Sequence, residues 1–256
     1  MKLIMLGSGT SSGVPRIGND WGRCNPANPR NRRRRVSVLV EAEGTRLLVD
    51  TGPDLREQLL DAGVSWITAV LYTHDHADHC HGIDDLRALF HASGVEIDCY
   101  MDRQTRAGIR TRFAYVFAGR QGYPATARAH LLQADMQFGP IRVRPFRQQH
   151  GPIHSKGFRF DGEGASIAYS TDISGVPDES WPLLEGLDLW VVDALRRNPH
   201  PTHSHLAQTL DWVERAAPRE TWLTHMDQSM DHDELAAELP AGVSPGWDGR
   251  TWEKAA

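Results

Sequence analysis

Residues 72–82 read YTHDHADHCHG, with histidines at 74, 76, 79 and 81 and further candidate ligands in Asp75, Asp78 and Cys80. The segment follows the apolar, β-branched run that begins at Ala69, so it reads as a strand that runs out into a loop. His74 and His76 are two apart, and in extended or tightly turned backbone their rings point to one side, while Asp78 and His79 come where a helix can begin. Such a loop can serve two adjacent ions. Imidazole suits zinc, iron and manganese, carboxylate adds harder oxygen ligands, and two neighbouring cations need a bridging anion.

Other polar residues recur at the same kind of place, the end of an apolar run: Asp50 after RLLV, Asp172 after IAYST, Asp193 after LWVV and His225 after TWLT. In layered α/β folds the carboxyl edge of the strands is where loops assemble a site, so these ends predict one shared cleft with Asp172 as candidate bridge. Further strands are predicted at KLIML, VSVLVEA from Val36, TRLLVD from Thr45, IRVRPF from Ile141, SIAYST and LWVVD. Helical spacing links Leu55, Leu59 and Ala62; Leu86, Leu89 and Phe90; Ile109, Phe113 and Val116, in a helix read from Asp102 to Phe117; and Leu206, Leu210 and Val213. The early chain is hairpin-like and strands then alternate with helices, which predicts an α/β protein with a mixed sheet system and helices outside. With no repeat or linker, residues 1–256 read as one domain.

Composition bounds the function. The chain is 40% hydrophobic and its net charge of -5 gives no support for a nucleic-acid polymer as partner. Three widely spaced cysteines do not form a disulfide framework, and no signal-like or membrane-length apolar run occurs, so a cytoplasmic protein without a membrane partner is expected. The glycines of LGSGTSSGVP lack the order of a phosphate loop or dinucleotide site and read as a tight turn near the cleft.

The pattern H74-D-H-A-D-H79, with His150, Asp172 and His225, resembles the metallo-β-lactamase superfamily, and LGSGTSSGVPRIG, WGRCNPANPRNRRRRVSVLV, LLVDTGPD and STDISG strengthen the match. The resemblance implies a four-layer αβ/βα sandwich and a hydrolase with two divalent metal ions, zinc or manganese. It assigns His74, His76 and His150 to one ion and Asp78, His79 and His225 to the other, with Asp172 between them. QQHGPIHSKGF offers His154 as well as His150, and the match places the ligand just before the glycine. His81, His91, His130, His200 and His232 fall outside the pattern and read as ordinary surface residues.

Within the superfamily, WGRCNPANP, NRRRRVSVLV and THSHLAQTL resemble the phosphodiesterases of carbon–phosphorus lyase pathways, which open a cyclic phosphate on phosphoribose. That likeness makes His203 the expected proton donor beside Asp78, with His205 its competitor or a phosphate contact. It departs in one place: those enzymes carry a cysteine-rich structural zinc loop closed by a histidine, whereas this chain has only Cys24 there, and Gln228 in place of the histidine. A second structural zinc is therefore not expected. The expected reaction is hydrolysis of a small cyclic or nucleotide-like phosphodiester by a hydroxide bridging two ions. From the run Arg32–Arg35, Arg35 is a candidate for the substrate phosphate, a solvated loop being the competing reading. A thioester or lactone hydrolase and a non-hydrolytic accessory protein of cofactor biosynthesis are the rival functions. A homodimer is left open, the 102–117 helix being one candidate contact.

Overall fold

The computed structural model describes residues 1–254. The first sheet contains β1 (Lys2–Gly7), β2 (Ser37–Ala42), β3 (Thr45–Val49), β4 (Ala69–Leu71), β5 (Ile97–Met101) and β6 (Ala127–Leu131). The second contains β7 (Met136–Phe138), β8 (Ile141–His150), β9 (Ile153–Gly162), β10 (Ala165–Ser170), β11 (Leu189–Asp193), β12 (Glu220–Thr224) and β13 (Val243–Pro245). The last strand, β14 (Thr251–Glu253), returns to the first sheet beside β1, with Lys2 opposite Glu253. In each sheet the strands pair antiparallel at first and then parallel: β3, β4, β5 and β6 in one, β10, β11, β12 and β13 in the other.

Alternation across each strand builds the layers. Val38 and Val40 on β2 face the second sheet and join Phe158, Phe160, Tyr169 and Trp222 in the core between the sheets. Leu39, between them, faces outward with Leu48, Val70 and Tyr72 and is covered by α1 (Leu55–Asp61), α3 (Leu86–Ser93), α4 (Arg103–Arg112) and α5 (Ala114–Ala118). On the far side Ala168, Trp190 and Val192 are covered by α6 (Leu206–Ala216) and α7 (His232–Glu238). Strands buried on both faces must be apolar at every position, which is why the central ones read as unbroken apolar runs. The result is the expected four-layer αβ/βα sandwich.

The helix read from Asp102 to Phe117 is two helices. Asp102 caps α4 by accepting from Thr105 N, but the backbone breaks at Phe113 (φ −123°, ψ 39°), where α5 begins in a new direction. The break lets Phe113 and Val116 both reach the outer core and lets Val116 O accept from Thr126 N ahead of β6. Strands β5, β6, β7, β9, β13 and β14 were not read from the sequence. In β9 the residues His154, Ser155, Lys156 and Gly157 interrupt any apolar run, and long-range pairing with β8 makes the strand. Among the described residues no helix is long and apolar enough to cross a membrane.

Trp190 is fully buried under α6, with Nε1 donating to Ser170 Oγ at 3.0 Å. Trp190→Ala is expected to cost about 3–5 kcal/mol through lost transfer energy and an incompletely collapsed cavity, read as a lower denaturant midpoint with unchanged slope.

Candidate metal centre

Both sheets send residues to one edge. β4 leads through Thr73 to His74; the loop then carries His76, and the short α2 (Ala77–Cys80) carries Asp78 and His79. From the second sheet come His150 at the end of β8, Asp172 after β10 and His225 after β12. The α2 turn is seated by Gly52, where a Cβ would lie only 2.4 Å from Asp78 O, so no larger residue fits without moving the loop. Asp50, Asp172 and His225 all have positive φ (64°, 52° and 56°). Such backbone costs of order 1 kcal/mol or more per non-glycine residue, and it clusters where side-chain direction matters more than strain.

These residues form two donor groups with one shared member. His74, His76, His150 and Asp172 make one; Asp78, His79, His225 and Asp172 make the other; within each, the candidate ligand atoms lie within 4.8 Å of one another. Asp172 Oδ1 is 3.8 Å from His74 Nε2 and 3.6 Å from His150 Nε2. Its other oxygen, Oδ2, is 3.0 Å from His79 Nε2 and 3.5 Å from His225 Nε2. One carboxylate thus divides its two oxygens between two sets of imidazoles. The Nε2 atoms of His74, His79 and His225 are buried with no hydrogen-bond partner, and such orphaned donors and acceptors call for an occupant. The donor set, imidazole with carboxylate, fits divalent transition metals.

Behind the donors lies a shell that aims them. His79 Nδ1 is 2.8 Å from Asp50 Oδ2, and Asp50 is in turn held by Thr73 N and Thr73 Oγ1, each donating at 2.8 Å. His150 Nδ1 is 2.7 Å from Thr202 O. His203 Nδ1 is 2.9 Å from Asp193 Oδ2, and its ring stacks on His225 at 4.6 Å with an interplanar angle of 11°. Asp75, between two donors, is gripped by Arg112 of α4, whose Nη2 donates to Asp75 O at 2.6 Å and also pairs with the Asp75 carboxylate. Each contact fixes a ring or loop orientation from outside the donor set.

The electrostatics are lopsided. Burial and the neighbouring His79 push His74 well below the ordinary histidine range, and burial lowers His150 as well. Burial also opposes charge on His79, yet Asp172, Asp78 and Asp50 hold it well above that range, and Asp172, Asp193 and Asp78 push His225 up to about 9. Despite burial, the surrounding histidines hold Asp78 and Asp172 well below the usual carboxylate range. The carboxylates create a demand for positive charge that a divalent cation meets as well as protons do.

Of the other residues read from the sequence, His154 projects away from the cluster on β9 and pairs with Arg147. His81 is exposed and its ring meets Phe113 at 5.5 Å. His205 is the N-cap residue of α6 and belongs to none of the donor groups. His232 is buried, not a surface residue: its backbone N donates to Asn31 Oδ1 at 2.8 Å and its ring meets Trp247 at 5.6 Å. The arginine run divides its work. Arg33 is fully buried, donating to Met230 O at 2.6 Å and Asp227 O at 3.3 Å with Cys24 Sγ at 3.7 Å; Arg34 pairs with Asp61 and Asp248. Arg32 lies over Trp21 at 5.3 Å, and Arg35 sets Nε 3.0 Å from Asp54 Oδ2 in the wall of the cleft beside Asp78. The glycine-rich turn does approach the centre: Met226, next to His225, donates to Ser8 O at 3.0 Å. Sequence reading placed Asp50 and Asp193 at strand ends but gave them no partner, and it missed Arg112 and Thr202 altogether.

Residues 45–226 match the model of the β-lactamase superfamily domain. An octanoyltransferase from Porphyromonas gingivalis is 35% identical over 97% of this chain, which spans 51% of that relative, about half its length. A solved structure described as a new diphosphatase from the PhnP family is 37% identical, covers 99% of this chain and 98% of its own, and superposes with a TM-score of 0.90. Zinc-bound PqqB from Methylobacterium extorquens, at 18% identity over 99% of this chain and 100% of its own with a TM-score of 0.79, shares the fold.

Asp50→Ala would leave His79 Nδ1 without its acceptor. The expected outcome is a roughly 10–100-fold loss of zinc affinity, measured by competition with a chromogenic chelator, together with a lower unfolding midpoint of the zinc-free protein, by about 1–3 kcal/mol, because Thr73 also loses its buried acceptor.

Proposed function

The chain belongs to the metallo-β-lactamase superfamily of metal-dependent hydrolases, and we propose that within it the protein is a phosphodiesterase, one domain over residues 1–256 acting on a small cyclic or nucleotide-like phosphodiester. The observation that carries this reading is the Asp172 carboxylate, with Oδ1 turned to His74 and His150 and Oδ2 to His79 and His225. In this reading His74, His76 and His150 would hold one divalent ion and Asp78, His79 and His225 a second, with Asp172 common to both donor groups; zinc or manganese would suit the donors. When bound, such a pair would lower the pKa of its water so that hydroxide is available at neutral pH, and would polarise the phosphoryl oxygens.

The chain's own residues do the rest. Asp78 belongs to the donor set and forms one wall of the adjoining cleft, so it fixes both the ion and the approach of the ester. His203 Nδ1 donates to Asp193, which leaves Nε2 as the exchangeable position, 3.9 Å from Asp172 Oδ1. Protonated there, His203 can give its proton to the departing alkoxide while the Asp193 charge stabilises the imidazolium. His205, at the end of α6 and outside the donor groups, fits that task less well, and we keep for it at most a contact to the substrate phosphate. Arg35 offers the better phosphate contact, since it lines the cleft beside Asp78 and is held there by its ion pair with Asp54, Nε to Oδ2 at 3.0 Å. The likeness to the PhnP-family diphosphatase supports chemistry at phosphorus over carbonyl substrates.

Metal-analysed protein should hydrolyse bis(p-nitrophenyl) phosphate faster than a lactone or thioester, with activity tracking about two metal equivalents. Asp172→Ala should lose metal and activity together, whereas His203→Gln should keep its metal and lose roughly 10²–10⁴ in kcat. Metal-replete protein that turns over the thioester or lactone but no diester would overturn the phosphodiesterase reading, and full activity in His203→Gln would overturn the proton-donor assignment.

A further inference from the structure

Beside the metal loop lies a cavity of about 560 Å³, walled by Ala77 and Asp78 on one side and by Ser12, Ile17, Arg35 and Pro53 around it. Ile17 is wholly exposed, with no protein side chain covering it. Single exposed aliphatic residues are common on protein surfaces and mean little by themselves. This one is held out. Arg16 N donates to Asp20 O at 2.9 Å and Asp20 N to Arg16 O at 3.2 Å, closing a tight hairpin whose tip carries Ile17. The Arg16 and Asp20 side chains also pair with each other, so the hairpin is braced and its charges are matched within it. Besides that pair and Asp78, the cavity offers a ligand the apolar surface of Ile17, Pro53 and Ala77, the hydroxyls of Ser11 and Ser12, and the Arg35 side chain.

We propose that this cavity seats the retained arm of the substrate, that this arm carries an apolar ring of nucleobase or aryl size, and that Ile17 is the residue that selects it. The proposal rests on the phosphodiesterase reading above. Asp78 both belongs to the donor set and lines the cavity, so an ester arm on a phosphorus held there has this cavity beside it. In a diester with two separate arms the leaving arm is not that one: its oxygen must lie at His203, which is on the Asp193 side of the centre and lines no part of the cavity. A bare ribose or short alkyl group would leave Ile17 in water, whereas a ring covers it and leaves Arg35 for the phosphate oxygens.

The test uses two diesters with the same p-nitrophenolate leaving group, thymidine 5′-(p-nitrophenyl phosphate) and methyl p-nitrophenyl phosphate, on the metal-replete wild type and on Ile17→Ser. The wild type should prefer the thymidine ester in kcat/KM by roughly tenfold or more, the scale of one apolar contact in a pocket. Ile17→Ser should raise KM for the thymidine ester by about the same factor, leave its kcat within twofold, and leave the methyl ester unchanged. Equal handling of both esters by the wild type, or an equal effect of Ile17→Ser on both, overturns this inference and leaves the phosphodiesterase reading standing. Cleavage of neither ester overturns that reading, and the inference falls with it.

Discussion

The two oxygens of one buried carboxylate hold the arrangement together. Asp172 comes from the second sheet, while His74, His76, Asp78 and His79 come from the first, and its contacts to them are 3.0–3.8 Å long where they reach His79 and His74. A donor group shared between two sheets exists only while their separation is fixed. That separation is set by the side chains between them, among them Phe158, Phe160, Tyr169 and Trp222, packed as tightly as protein interiors are. The core and the chemistry therefore have one common dimension, and a change that thins or swells the core moves the two halves of the centre relative to one another.

The donors themselves are imidazoles and carboxylates crowded together, most of them buried, and the carboxylates decide how that crowding resolves. Asp50 stands behind His79 and Asp193 behind His203, each fully buried and each aimed through the Nδ1 of its histidine. A carboxylate in that position sets which ring nitrogen carries the proton and so which one faces the centre. The same pair of acids gives the two histidines different duties. His79 turns its Nε2 into the donor set, whereas the His203 ring stacks beside His225 with its Nε2 farther out.

What the sequence showed and what it hid divide along range. The segment from His74 to His79 is legible because strand, loop and short helix follow one another directly, so spacing shows which side chains can share a side, and the family resemblance assigns them to the two donor groups. The strand ends Asp50, Asp172, Asp193 and His225 are legible because burial on both faces forces unbroken apolar runs before them. His150 is different: it competes with His154, and the choice depends on a turn at Gly151–Pro152 that folds β9 back on β8. The partners of Asp50 and Asp193 were hidden because those contacts join residues 29 and 10 apart through folded backbone rather than through any local period. Arg33 reads as one of four like charges, but only the fold shows it fully buried against the carbonyls of Asp227 and Met230. The broken helix at Phe113 was hidden for the same reason, since its cause is the strand it must meet.

The pairing of β14 with β1 sets Lys2 opposite Glu253, so the two ends of the described chain lie side by side. From there β1 runs toward Gly7 and the glycine-rich turn, which puts this seam at the far end of the strand from the ligand edge. Joining the ends by a short linker and opening the ring at an exposed loop such as Glu43–Gly44 would preserve every strand neighbour. The order of the segments along the polypeptide is in that sense separable from the cleft they build.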